Sequence, residues 1–161
     1  MDARLTPLYE IFKLNTRLFL NCLDGMDDDR ASWRPTATTN SAAFLALHLV
    51  QTRHSLAALI GLETRNPFEV LTKGAQGIAD IADYPSLDDM RAEWKNVTGS
   101  VRARLAELAP ADLSTSADQK FPGDDPSVLG ALAFLMQHDA YHVGQLALLR
   151  KQMGLPAMSY R

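Results

Sequence analysis

The sequence predicts an all-α fold, a four-helix bundle. Three observations carry that expectation: four long segments repeat apolar residues every three or four positions, no segment alternates convincingly as a strand, and Pro, Gly and Asx residues punctuate the joins. With 161 residues the chain suits one domain with a substantial core, so 1–161 is read as a single helical unit.

The first helix is expected from about Leu5 to Leu23, where Leu5, Leu8, Tyr9, Phe12, Thr16, Phe19 and Leu23 form one stripe. Gly25 and the run Asp27-Asp28-Asp29 break the pattern, and Pro35 disfavours helix at Arg34. A second helix starts near Asn40 or Ser41 and continues through Phe44, Leu47, His48, Gln51 and Leu59 to a stop at Gly61. Pro67, Gly74, Gly77 and Pro85 then mark a long connection, Leu62 to Pro85, with room for one short helix. The third helix enters at Ser86 as N-cap, has Asp88 and Asp89 in its first turn, and carries Met90, Trp94, Val97, Val101, Leu105 and Leu108 before Pro110. A polar loop, Ala111 to Asp124, leads to Asp125 as N-cap and Pro126 as first residue of the fourth helix. That helix runs to about Met153 and is stopped by Gly154 and Pro156. Periodicity alone leaves open whether the long second connection crosses the bundle or returns beside it.

Composition narrows the function classes. Hydrophobic residues make up 47% and charged residues 22%, with a net charge of −3, the balance of an ordinary globular protein. The 16 Lys and Arg residues are scattered, so no basic stripe offers itself to nucleic acid. No apolar run approaches bilayer length and the first residues show no leader pattern, so a cytoplasmic protein is expected. Cys22 is the single cysteine, which rules out an intrachain disulfide and a Cys-rich zinc cluster; its place beside an apolar stripe reads as a small buried hydrophobe.

The histidines are the chemical signal. At about 100° per residue, with His138 at zero, His142 falls near about 40°, Gln145 near about 340° and Tyr141 near about 300°. They share a face with Ala131, Phe134, Leu135 and Leu149, so the rings project from the stripe that should meet the core. Two imidazoles four positions apart can converge on one ion, and His48, phased with Phe44, Leu47 and Gln51, is the best third ligand. His54 lies about 240° from His48 on the same helix and reads as a partly exposed or capping histidine. On spacing alone, core histidines bonded to each other or to carbonyls account for the pattern as well as a metal does.

Order and letters together resemble the DinB-like and YfiT-like family of bacterial metal-binding proteins. The resemblance rests on Trp33-Arg34-Pro35, on Leu47-His48-Leu49, on His138-Asp139-Ala140-Tyr141-His142-Val143-Gly144-Gln145, and on Leu149-Arg150 and Gly154. It implies an up-down-down-up four-helix bundle with a long crossover between the second and third helices. It also implies a three-histidine site on His48, His138 and His142 with water in the open positions.

Such a site calls for one divalent transition metal. Imidazole ligands point to zinc, nickel, copper, cobalt or iron rather than magnesium or calcium, with zinc and nickel foremost. Three neutral ligands with an open position are the arrangement of catalytic sites. The characterised branches of the family imply a transferase or isomerase acting on a small molecule with a low-molecular-weight thiol, with Tyr141 or Gln145 orienting it. A metal-dependent hydrolase is the alternative enzyme, and a non-enzymatic, stress-associated metal-binding module is the third reading. Leu45, Leu49, Leu56 and Ile60 spread beyond one stripe of the second helix, which leads to the expectation of a homodimer.

Overall fold

The computed structural model describes residues 1–75 and 77–160. Its long helices are α1 (Leu5–Leu23), α3 (Ala42–Leu59), α5 (Leu87–Glu107) and α7 (Val128–Gln152). Between them lie the short helices α2 (Asp28–Ser32), α4 (Glu69–Thr72) and α6 (Pro110–Ser114), and a 3₁₀ turn at Ile78–Asp80. Among the described residues there is no strand, only an isolated bridge between Ser116 and Ser127. Among the described residues no helix is long and apolar enough to cross a membrane.

Cross-helix bonds set the directions of the helices. Asn15 Nδ2 donates to Met136 O, and Cys22 Sγ to Val143 O, so α1 and α7 run parallel. Arg53 reaches Thr98 and Arg104 reaches Ile60 O, so α3 and α5 are likewise parallel. Trp94 Nε1 donates to Thr16 O and Arg102 Nε to Tyr9 Oη, which sets α5 against α1. Because α3 and α5 point the same way, the chain between them must return along the helix, about 27 Å at 1.5 Å per residue. That requirement explains a connection too long for a tight turn.

The helix ends follow local chemistry. Ser41 and Ser86 cap α3 and α5 through Phe44 N and Asp89 N. Gly61 and Gly154 take left-handed φ values of 77° and 75°, and each closes a helix with paired bonds: Leu62 N to Ala57 O with Gly61 N to Ala58 O, and Leu155 N to Arg150 O with Gly154 N to Lys151 O.

Three local expectations need correction. The N-cap of the last helix is Ser127, not Asp125: Ser127 Oγ accepts Gly130 N, while Asp125 Oδ1 is taken by Ser127 N in a turn that keeps Pro126 outside the helix. Asp27-Asp28-Asp29 is more than a break, because Asp27 caps α2 by accepting Arg30 N. The loop after Pro110 likewise begins as α6, with Pro110 at its first position and buried Leu113 as its anchor.

The apolar residues that motivated a homodimer lie inside the chain. Leu45, Leu49, Leu56 and Ile60 are all buried, because α3 packs against α2, α4, α5 and α7 and so needs apolar residues around most of its circumference.

At the centre of the bundle sits a charge. Arg53 on α3 is fully buried, and its Nη2 donates to Asp139 Oδ2 on α7 at 2.6 Å. The guanidinium carbon lies 4.4 Å from the centre of the Phe12 ring and 4.0 Å from that of Trp94, and Nη1 reaches Thr16 Oγ1 on α1. One side chain thus touches all four long helices. Burial pushes the Asp139 carboxyl up and the Arg53 guanidinium down, each opposed by the charge of the other. Asp139→Asn, which leaves the cation uncompensated, should cost about 3–5 kcal/mol in urea unfolding, whereas Arg53→Met combined with Asp139→Leu should cost less than either single change. A single-variant cost below about 1 kcal/mol would show that the pair does not govern the core.

Candidate metal centre

His48 comes from the first half of α3, and His138 and His142 from successive turns of α7, the helix that packs against it. The four-residue spacing stacks the two α7 rings on one face, and the antiparallel α3–α7 contact brings His48 opposite them. His48 Nε2 and His142 Nε2 each lie 3.1 Å from His138 Nε2, and the three ligand atoms all fall within 4.8 Å of one another. All three residues are half-buried. The sequence-predicted trio is therefore brought together.

The surroundings hold the rings in place. Gln145 Oε1 accepts from His142 Nδ1 at 2.7 Å, which leaves the Nε2 lone pair of that ring free to face the cluster. The Phe44 ring lies parallel to His48 at 6.1 Å between centres, and Phe134 lies 5.9 Å from His138, with Phe121 packed behind it. Tyr141 meets the His142 ring edge-on at 5.0 Å but is 58% exposed, so it stands at the rim.

Charge chemistry agrees with a ligand set. Burial pushes His48 and His138 down to about 4, with repulsion from neighbouring imidazoles adding to the effect, and burial lowers His142 against an opposing bond from Gln145. The rings are neutral at pH 7, with lone pairs available. Metal–nitrogen bonds are about 2.0–2.1 Å, so nitrogens 3.1 Å apart suit ligands on one face of a single ion. The residues present fit a divalent transition ion.

His54 is elsewhere, and it is buried rather than partly exposed. Its Nε2 pairs with Glu93 Oε1 at 3.0 Å on α5, and its Nδ1 with Thr64 Oγ1 at 2.8 Å, so it ties the connection after α3 to the bundle. Cys22 is fully buried, with its thiol pushed up to about 11 by desolvation. The residues missed at the sequence level were Arg53 and Asp139. Two opposite charges at buried phases of two predicted helices were the available signal.

The family model of the DinB superfamily matches residues 11–146, a span that contains all three histidines. The chain belongs to the DinB superfamily. Its fold is similar to that of a DinB-like protein (YjoA) from Bacillus subtilis, with 20% identity, 96% of each chain covered and a TM-score of 0.68. It is also similar to a DinB-like protein from Bacillus cereus, with 21% identity, 94% of each chain covered and a TM-score of 0.72. At such identities the likeness concerns the fold of this DinB-superfamily chain. No curated protein matches it.

Two measurements probe the centre. The folded pKa values of the histidines lie below their unfolded value near 6.5, so on acidification the unfolded chain takes up protons first. Metal-free protein should therefore hold constant stability above about pH 6.5 and lose it steadily towards pH 4. Melting curves should show this slope reduced in a His48→Gln, His138→Gln, His142→Gln triple variant, leaving the part due to His54, which burial also lowers. Gln145→Leu, which frees the His142 ring, should weaken metal affinity about tenfold in a competition titration.

Proposed function

We propose that this protein is a metal-dependent transferase, in which His48, His138 and His142 hold one divalent transition ion and an external low-molecular-weight thiol attacks a small electrophile. The observation that carries the reading is the ligand set itself: three half-buried, neutral imidazoles with convergent Nε2 atoms and no carboxylate among them. A divalent ion bound there retains its full charge and supplies a Lewis acid that favours the thiolate form of a thiol reaching it.

The chain's own residues support an external thiol. Cys22 is sealed in the core, and its raised pKa keeps it protonated at neutral pH. Asp139 is committed to Arg53 and the half-buried Glu93 to His54, so neither serves as a general base beside the three histidines. Gln145 fixes the His142 ring, Phe44 and Phe134 pack beside the site, and the exposed Tyr141 ring stands against His142. In the transfer the thiol sulfur forms a bond to the electrophilic carbon, the leaving group departs with its bonding pair, and the thiol proton passes to solvent.

Elemental analysis of protein purified without added metal tests the site. His48→Ala, His138→Ala and His142→Ala should each lose the ion, and His54→Gln should keep it. Metal-loaded protein should accelerate conjugation across a panel of bacterial thiols and electrophiles, and chelation should abolish the rate. Absence of conjugation together with metal-dependent ester or amide cleavage would replace transfer by hydrolysis. A melting temperature that collapses on chelation, without any activity, would make the ion structural.

A further inference from the structure

Beside His48 lies a cavity of about 320 Å³, walled by α3 on one side and by the end of α4 and the connection that follows it on the other. Of the three histidines, His48 forms part of its wall. Its size is at the small end of ligand cavities and suits a molecule of one ring rather than several. Phe44, Leu47 and Ile81 supply an apolar side. None of the described residues lining it is an Asp, Glu, Lys or Arg.

The polar groups of the wall divide into engaged and free. Thr52 Oγ1 donates to His48 O at 2.9 Å, Ser55 Oγ to Gln51 O at 3.3 Å, and Thr72 Oγ1 to Glu69 O at 3.2 Å. Their protons are spent on the backbone. The side-chain amide of Gln51 makes no hydrogen bond to any described residue, although it lines the cavity one helical turn from His48. It brings two donors and one acceptor to a wall whose hydroxyl protons are already spent.

We propose that this cavity is the subsite for the organic substrate, and that it takes an uncharged molecule with an apolar body and a carbonyl or amide group read by Gln51. The assignment rests on the transferase reading for its role and on the cavity for its chemistry. Away from the ion, the lining side chains offer a charged group no counter-charge, so burying one in the cavity costs hydration that nothing there returns. A neutral one buries its body against Phe44, Leu47 and Ile81 and exchanges its water bonds for the Gln51 amide. A substrate bound there lies against the wall that His48 shares with the metal centre.

Benzamide, benzoate and benzylamine, the same ring with neutral, anionic and cationic heads, serve as probes. Each is titrated into the protein as purified and after chelation, so that coordination to an ion is separated from binding in the cavity, and the Gln51 side-chain amide is followed by NMR. Benzamide should shift that resonance in both forms and bind at least about tenfold more tightly than either charged probe after chelation. Gln51→Leu should weaken benzamide by about three- to tenfold with metal content unchanged. Ala75→Phe, which fills the cavity from the connection, should abolish binding. Equal binding of benzoate to the chelated protein, shifts confined to other regions, insensitivity to both variants, or no binding of benzamide would each overturn the assignment. Benzamide binding without any thiol conjugation would sink the transferase reading and leave the cavity. Conjugation at unchanged KM in Ala75→Phe would sink the cavity and leave the transferase.

Discussion

A guanidinium with no exposed surface has to be matched inside the protein, and in this bundle the match crosses the structure. Arg53 of α3 meets Asp139 of α7, lies between the rings of Phe12 and Trp94, and touches Thr16. Burying such a pair in place of apolar side chains adds little stability, and here Arg53 Nε and Asp139 Oδ1 have no hydrogen-bond partner among the described residues. What the pair contributes is discrimination. A slide of α3 along α7 by one turn would strand both charges in an apolar core, a penalty that a sliding pair of leucines would not incur.

The histidine cluster inherits that register. Asp139 directly follows His138, so the two side chains leave α7 about 100° apart, one towards the core and the other towards the site. His48 stands between one and two turns before Arg53 on α3. Once Arg53 and Asp139 are paired, the axial offset between His48 and the α7 histidines has no freedom left, and the Nε2 atoms meet without a loop having to fold over them. Sites carried on packed helices hold their geometry more closely than sites carried on loops. The fixed tautomer at His142, set by Gln145, completes the same logic at the scale of one ring.

What the sequence revealed follows from where regular periodicity operates. The four long helices were legible because each repeats its apolar residues over several turns, and the choice of His48 over His54 followed from phase alone. Six residues of helix carry His54 round to α5, where it meets Glu93. The short helices α2 and α6 were hidden because a single turn shows no period, and their signals, Asp27 as a cap and Pro110 at a first position, were read as breaks instead. The start of α7 was misplaced by two residues because Asp125 and Ser127 are both competent caps, and only the turn made by Asp125 decides between them. The Arg53–Asp139 pair was missed for another reason, although each charge sits at a buried phase of its helix. Its members are 86 residues apart, and no local spacing announces a partner on another helix. Apolar residues around α3 looked like surface awaiting a second chain; they are the mark of a helix surrounded within its own chain.

The molecule divides its labour between helices and connections. The ligand atoms come from α3 and α7, whose relative position the buried ion pair determines, so changes in the ligand set would have to be absorbed by the core. The opposite wall of the cavity comes from the chain after α4, where Ala75, Gly77 and Ile81 face α3 across about 320 Å³. That chain exists because parallel α3 and α5 require a return along the bundle, so its length is imposed by the fold while its side chains bear few of the core contacts. Substitutions there can reshape the cavity wall without displacing the helices that carry the imidazoles. Membership of the DinB superfamily therefore speaks for the frame that positions the histidines, whereas the proposed reaction would depend on Gln51, Tyr141 and the connection beside them.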